Sequence, residues 1–256
     1  MKIVNPHLAS SIQEQGLLKP PNSFGYLHLA AEVERPGLFS SDSSVKKALL
    51  SELLVLCKAL KSESGLVQRA DVFNAFIIPP GAKEGREVIE RNGYKVHIAA
   101  FDIVVLIECA SVEDAVMTRD SENFKKMNRL LEEKSKYFQS ITAKNPKRID
   151  EVDKDTKGIF LFNYFFSKDT QTLLDVWEYT AGWWTKKANL TNSTPLQPIE
   201  EGSEYSLINH CRWNKLMDVL PSLLFKPTLK QFVLKNFTVN EIVAMPILYK
   251  VVQPKA

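Results

Sequence analysis

The segment 205–213, with the sequence YSLINHCRW, carries an asparagine and a tryptophan four residues apart. Alternate residues of an extended strand share one face, so Asn209 and Trp213 point the same way, together with Tyr205 and Cys211. A buried amide needs hydrogen-bond partners, which it finds in the protein or in a ligand. Asn209 is therefore either a structural residue tied to a neighbouring loop or a ligand-binding residue, and both interpretations stay open.

The opposite face of the same segment carries His210 and Arg212. An unperturbed histidine has a pKa of about 6.5, so His210 has the chemistry of a general base. No nearby carboxylate is visible to orient it, which favours a structural or exposed histidine. Only one of the two faces can line a cavity between sheet and helices, and alternation alone does not say which.

Aromatic residues are dense in the second half of the chain. Such a set either builds a core or lines a flat apolar pocket for a ring-shaped ligand, whose orientation a few polar groups fix. The candidate ligand-binding residues are Tyr164, Trp177, Tyr205, His210, Arg212 and Tyr249.

The motifs of several enzyme classes are missing from the sequence. Its 10 glycines form neither GxGxxG nor GxxxxGK, and no GxSxG or HExxH occurs. The 3 cysteines form no CxxC pair and the 4 histidines are scattered, so we expect no metal and no bound cofactor. A net charge of +3 over 256 residues is too weak to predict binding to nucleic acid or to a membrane. No secretory signal is visible, which together with the unpaired cysteines predicts a cytoplasmic protein.

Apolar periodicity predicts the elements that must position these side chains. In the first half it predicts strands at 24–33, 72–78 and 101–109, helices at 45–60 and from 111 to about 137, and a weak strand between 138 and 152. In the second half it predicts strands at 158–166, 205–213 and 242–252, a helix from 169 or 170 to 187, and a weak strand at 192–199. Residues 215–234 contain two prolines, which predicts short helical pieces there.

The order β-α-β-β-α-β thus occurs twice, which predicts an α+β protein of two tandem ferredoxin-like domains. Each sheet covers one face with its own helices, so the two free faces bury each other, sheet to sheet, as a barrel within one chain. The charged segment 145–158 marks the boundary. We expect an N-terminal extension at 1–22, a first domain at 23–150 and a second at 151–256. Two unrelated α+β domains are the alternative.

Over most of residues 24–252 this order resembles the dimeric α+β barrel superfamily. In the second half the sequence also resembles antibiotic-biosynthesis-monooxygenase-type domains, through GIFLFNYFF at 158–166, the helix with Trp177, YSLINHCRW and the final PILYKVV. The resemblance implies that Asn163, Asn209 and Trp213 line the cavity as catalytic residues. Haem-degrading relatives place a histidine on the helix after that tryptophan. Residues 214–240 contain none, which argues against haem.

The resemblance implies a small-molecule-binding barrel, and the first hypothesis is a cofactor-independent monooxygenase or isomerase acting on a ring-shaped or phenolic substrate. In that hypothesis the amides of Asn163 and Asn209 hydrogen-bond a carbonyl or phenolate oxygen, and Trp213 stacks on the ring. The alternative is a non-catalytic ligand-binding or structural barrel, and a haem-binding barrel like the chlorite dismutases is less favoured. The two halves are expected to form an intrachain pseudo-dimer, and pairing of whole chains into a homodimer stays open.

Overall fold

The computed structural model of the chain describes residues 1–10, 18–34, 41–78 and 83–253. The elements of the first half are α1 (Pro6–Ser10), β1 (Gly25–Glu32), α2 (Ser44–Ser64), β2 (Val67–Ile77), α3 (Lys83–Asn92), β3 (Ile103–Cys109), α4 (Val112–Thr118), α5 (Glu122–Lys134) and β4 (Tyr137–Lys144).

The second half repeats the β-α-β-β-α-β order, with its last helix divided. Its elements are β5 (Ile159–Phe166), α6 (Thr170–Lys187), β6 (Thr194–Pro198), β7 (Leu207–Trp213), α7 (Leu216–Phe225), a π-helix (Leu229–Leu234), α8 (Lys235–Val239) and β8 (Val243–Val251).

Eight antiparallel strands close one barrel, in the order β1-β3-β2-β8-β5-β7-β6-β4. The halves meet at two junctions, where β2 pairs with β8 and β4 pairs with β6. The second junction is short and joins Ala143 to Pro198 and Lys144 to Gln197. The predicted tandem ferredoxin-like fold is confirmed. The domain boundary between residues 150 and 151 stays a prediction.

Aromatic side chains from both halves fill the interior of the barrel. Phe73 of β2 meets Phe160 and Phe162 of β5 edge to face, with ring centroids 5.2 and 5.1 Å apart. Tyr164 packs against Phe101 from the first half in a tilted arrangement, with ring centroids 4.9 Å apart. Because these rings are fully buried and interdigitate, the barrel is a packed core and not a channel.

Helices cover the outside of the barrel in each half. In the first half α2 presents Leu53 and Leu60 to the outer face of β1, β2 and β3. Ser43 begins this helix by accepting a hydrogen bond from the Lys46 amide, and Gly65 ends it in the left-handed conformation. In the second half α6, α7 and α8 enclose a separate apolar cluster. Each half therefore has its own compartment between sheet and helices.

Two predicted element boundaries were wrong, and one helix was missed. The single helix expected from residue 111 to about 137 is two helices, because Ser121 starts a new one by capping the Phe124 amide. Strand β2 begins five residues earlier than expected, since its polar start, with Arg69 bonded to Asp71, hides the strand pattern. Helix α3 between β2 and β3 was not predicted, because few of its side chains are apolar.

Candidate functional site

Asn163 and Asn209 lie directly opposite each other on adjacent strands. Asn163 of β5 is the register partner of Asn209 of β7, so the two amides share one face of the sheet. That face looks towards the helices, because its neighbours Leu161 and Cys211 pack in the cluster beneath α6. The structure thus decides between the two faces that strand alternation left open.

The hydrogen bonds of this asparagine pair are incomplete. Asn209 Oδ1 accepts a hydrogen bond of 2.6 Å from Ser193 Oγ, which fixes the orientation of the amide. Its nitrogen donates to no other group in the described part of the chain. Asn163 Oδ1 is buried and has no hydrogen-bond partner there. One free donor group and one free acceptor therefore lie side by side on the sheet.

A small cavity of about 30 Å³ lies beside these amides. Helix α6 contributes Trp177, Ala181 and Trp184 to its wall, and β7 contributes Trp213. The Trp213 indole N–H donates a hydrogen bond of 2.8 Å to the carbonyl oxygen of Ala188, which directly follows α6. This bond fixes the orientation of the ring. A volume of this size holds about one or two water molecules. The remaining lining residues are Ile149, Leu161, Phe165, Leu190, Ser193, Cys211 and Phe237.

The lining of this cavity carries no charged side chain. Its one titratable group is Cys211, and burial raises the pKa of this thiol far above its usual value, so it stays protonated. The cavity can hold a ligand by hydrogen bonds to amides and by contact with indole rings. It offers no group that accepts a proton near neutral pH.

Three predicted ligand-binding residues, Tyr164, His210 and Tyr249, lie on the other side of the sheet. They point into the barrel interior, where His210 stacks on Phe162 with ring centroids 4.2 Å apart. Burial lowers the pKa of His210 well below its usual value and raises those of both tyrosines. His210 is therefore a neutral core residue on the face opposite to the cavity.

Two more predicted ligand-binding residues have structural contacts. Tyr205 lies outside β7, which begins at Leu207, and its ring packs on Tyr164 inside the barrel. The expectation that Tyr205 shares the face of Asn209 was wrong, because strand alternation does not extend back to it. Arg212 donates hydrogen bonds to the carbonyl oxygens of Thr156 and Lys157 and so ties down the segment before β5.

Sequence reasoning missed two residues that shape the cavity, Ser193 and Trp184. Ser193, which orients Asn209, directly precedes β6, the weakest predicted strand, so its position opposite β7 was not foreseeable. Trp184 was counted among the aromatic residues of the second half but not as a cavity residue. It is the less buried of the two tryptophans that α6 contributes to the cavity. Its spacing of seven residues from Trp177, two helical turns, was the available signal.

Solved structures of known proteins share this architecture. An anthrone oxidase-like protein superposes with a TM-score of 0.58 at 12% identity, covering 90% of this chain and 91% of that one. A provisionally named monooxygenase from Fusobacterium nucleatum subsp. nucleatum ATCC 25586 gives 0.50 at 7% identity, covering 91% and 94%. The fold is that of the dimeric α+β barrel proteins. At these identities the likeness shows the fold alone. No family model matches this chain, and no curated protein matches it either.

The described residues contain neither a metal-binding group nor a membrane-spanning helix. Within residues 1–10, 18–34, 41–78 and 83–253, no group of three histidine, cysteine or acidic side chains is arranged to hold a metal ion. None of the helices in these same ranges combines the length and the apolar character that crossing a membrane requires.

Proposed function

We propose that this dimeric α+β barrel binds a small ring-shaped, oxygen-bearing molecule between its second sheet and α6, and oxidises it with dioxygen without a metal or a bound cofactor. The observation that carries the proposal is the facing pair Asn163 and Asn209. A buried oxygen without a hydrogen bond costs about 1–3 kcal/mol of stability. A phenolic hydroxyl that donates to Asn163 Oδ1 removes this cost, which favours the bound state.

The amide nitrogen of Asn209 has the complementary role. It is available as a donor, and its carbonyl oxygen is held by Ser193, so the nitrogen cannot rotate away without breaking that bond. A phenolate or enolate oxygen develops negative charge when the substrate loses its proton, and a fixed hydrogen-bond donor in a buried site stabilises this charge. Trp177 and Trp213 supply apolar surface for the ring.

The reaction balances without a further reductant. A methylene carbon activated by a phenolic ring system loses two hydrogens and becomes a ketone, which is an oxidation by four electrons. Dioxygen accepts all four electrons, and one oxygen atom enters the ketone while the other leaves as water. Because the lining has no base, the substrate must ionise by its own acidity. The rate is therefore expected to rise through the pKa of the substrate and not through that of a protein group.

The cavity is too small for a ring as it stands, which counts against the enzyme hypothesis unless the cavity enlarges on binding. Its volume of about 30 Å³ is several times smaller than a six-membered ring needs. The side chain of Trp184 projects from α6 to the wall of the cavity. It is the least buried of the three tryptophans of this helix, so we expect it to move when the ligand enters. Trp184→Ala should therefore speed up ligand binding.

A non-catalytic ligand-binding barrel is the second candidate function. The absence of a charged or basic side chain from the lining favours it, because such a site binds and orients a ligand without acid–base chemistry. Both candidates use the same asparagine pair, so they differ only in whether the bound ligand is consumed.

Measurement of dioxygen uptake separates the two candidates. Purified protein would be supplied with anthrone, the substrate class in the name of one structural neighbour, and with a simple phenol, which lacks the methylene carbon and should bind without dioxygen uptake. Substrate alone corrects for spontaneous oxidation. We expect uptake that falls about a hundredfold in Asn209→Ala. Asn128→Ala, on the distant helix α5, is the matched control and should keep the wild-type rate. Binding without uptake would establish the second candidate, and neither binding nor uptake would overturn both.

A further inference from the structure

Helix α7 is apolar on two opposite sides. Leu216, Val219 and Leu223 face inwards and pack on the core of the second half. Met217 and Phe225 face solvent, with 66% and 78% of their surface exposed. Phe225 is the most exposed large apolar side chain in the described part of the chain, so the outer side of α7 is a candidate contact surface.

Lysines lie at both ends of this helix. Lys215 precedes α7 and Lys226 follows it. The last two residues of α6, Lys186 and Lys187, lie beside α7, because the Lys187 carbonyl oxygen accepts hydrogen bonds from Ser222 and Lys226. Residues 215–235 contain 4 lysines and 1 acidic residue, Asp218. The net charge of +3 for the whole chain therefore understates the positive charge around this helix.

This distribution fits a lipid surface better than a second copy of the chain. An apolar helix face bordered by lysines is the pattern of helices that lie in the plane of a membrane interface. If two copies met through the same face, each would bring its lysines against those of the other, and like charges would repel across the contact. Anionic lipid headgroups complement the charge and the acyl chains accept the apolar side chains.

We propose that α7 docks this protein onto anionic lipid bilayers. Met217 and Phe225 insert at the level of the headgroups, and Lys215 and the end of α6 contact the lipid phosphates. The docking is peripheral and does not depend on the proposed oxygenase activity. The net charge of the whole chain did not predict binding to a membrane. That prediction averages the charge over the chain, whereas several lysines lie close to this one helix.

Vesicle flotation tests the proposal with the full chain. One set of vesicles contains phosphatidylcholine alone and the other contains about one third phosphatidylglycerol. We expect flotation with the second set only, reduced about tenfold by Phe225→Ser and roughly fivefold by Lys215→Gln. Raising the salt concentration should also weaken it. Val55→Ser is the matched control, because Val55 of α2 is 67% exposed and belongs to the other half of the chain.

Three outcomes would overturn the proposal. The first is no flotation with anionic vesicles, and the second is an equal effect of Phe225→Ser and Val55→Ser. The third is a concentration-dependent dimer in sedimentation velocity that Phe225→Ser abolishes while vesicles remain unbound. This last result would assign the face to a second copy of the chain.

Discussion

The two compartments between sheet and helices have the same topology but different contents. In the first half, the cross-strand pairs beneath the helices are apolar, as in Leu27 with Ile107 and Leu29 with Val105. In the second half, the corresponding strands β5 and β7 place Asn163 opposite Asn209. The first compartment is a packed core, whereas the second has a cavity beside two amides. The first half forms the same sheet without an amide at these positions, so the fold does not require the two amides of the second half. This supports a role for them in binding.

The covering helices of the two compartments differ in regularity. Helix α2 is 21 residues long and uninterrupted, so its leucines pack along the whole sheet. In the second half Pro221 lies inside α7, and the chain continues through a π-helix before α8. π-helical turns are frequent at functional sites, and α8, which follows this one, places Phe237 in the cavity wall.

The largest expected effect concerns a buried charge pair of the first compartment. Lys46 and Asp102 are both fully buried, and Lys46 Nζ lies 2.8 Å from Asp102 Oδ2. Lys46→Met leaves the Asp102 carboxylate buried without its cation, so we expect a loss of about 3–5 kcal/mol in the free energy of unfolding. Urea denaturation measures it, with the exposed neighbour Lys47→Met as control. A loss below about 1 kcal/mol would show that this pair does not stabilise the first half.

The next effect is shared by both halves and comes from the barrel interior. Burial lowers the pKa of His28 to about 3 and that of His210 well below its usual value. The unfolded chain binds protons at both sites below about pH 6.5, and the folded chain does not. Stability is therefore full above about pH 6.5 and falls as the pH drops towards 3, by about 1.4 kcal/mol per histidine per pH unit.

Urea denaturation at a neutral pH and about one unit below pH 6.5 checks this dependence. We expect His210→Phe to remove about half of the pH-dependent loss, because the phenyl ring keeps the stacking on Phe162. An unchanged pH dependence in this variant would contradict the assignment of His210 as a neutral buried residue.

A smaller effect compares two asparagines, one in each half. Asn163 and Asn74 both have a buried Oδ1 without a hydrogen bond in the described part of the chain. Asn74, however, also donates a hydrogen bond of 2.7 Å to Asp42. We expect Asn163→Leu to raise the free energy of unfolding by about 1 kcal/mol, because it removes the unbonded oxygen and extends the apolar packing. Asn74→Leu should lower it by a similar amount, because Asp42 loses its donor.

Thermal unfolding followed by circular dichroism measures both asparagine variants. The test depends on the two variants changing the free energy of unfolding in opposite directions. If Asn163→Leu destabilises the protein as much as Asn74→Leu does, Asn163 has a structural partner and is not held ready for a ligand.

The fold could be predicted from sequence because its strands carry long apolar runs and its helices have clear caps. The side of the sheet that forms the site could not, because every residue of β7 is buried. With both faces covered, hydrophobic alternation no longer distinguishes inside from outside. His210 and Asn209 therefore looked equivalent in the sequence, although one is a core residue and the other borders a cavity. Ser193 was hidden for a different reason, since only the pairing of β6 with β7 brings it to Asn209.

The central claim is that the free amide pair of the second half binds a ring-shaped ligand. The most direct test is the NMR spectrum of the side-chain amides, titrated with anthrone or a phenol and assigned by Asn163→Leu and Asn209→Leu. We expect saturable shifts of the Asn163 and Asn209 side-chain signals, while those of Asn74 and Asn128 stay unchanged. Saturable shifts confined to other residues, or no shift at ligand concentrations that support dioxygen uptake, would contradict the claim.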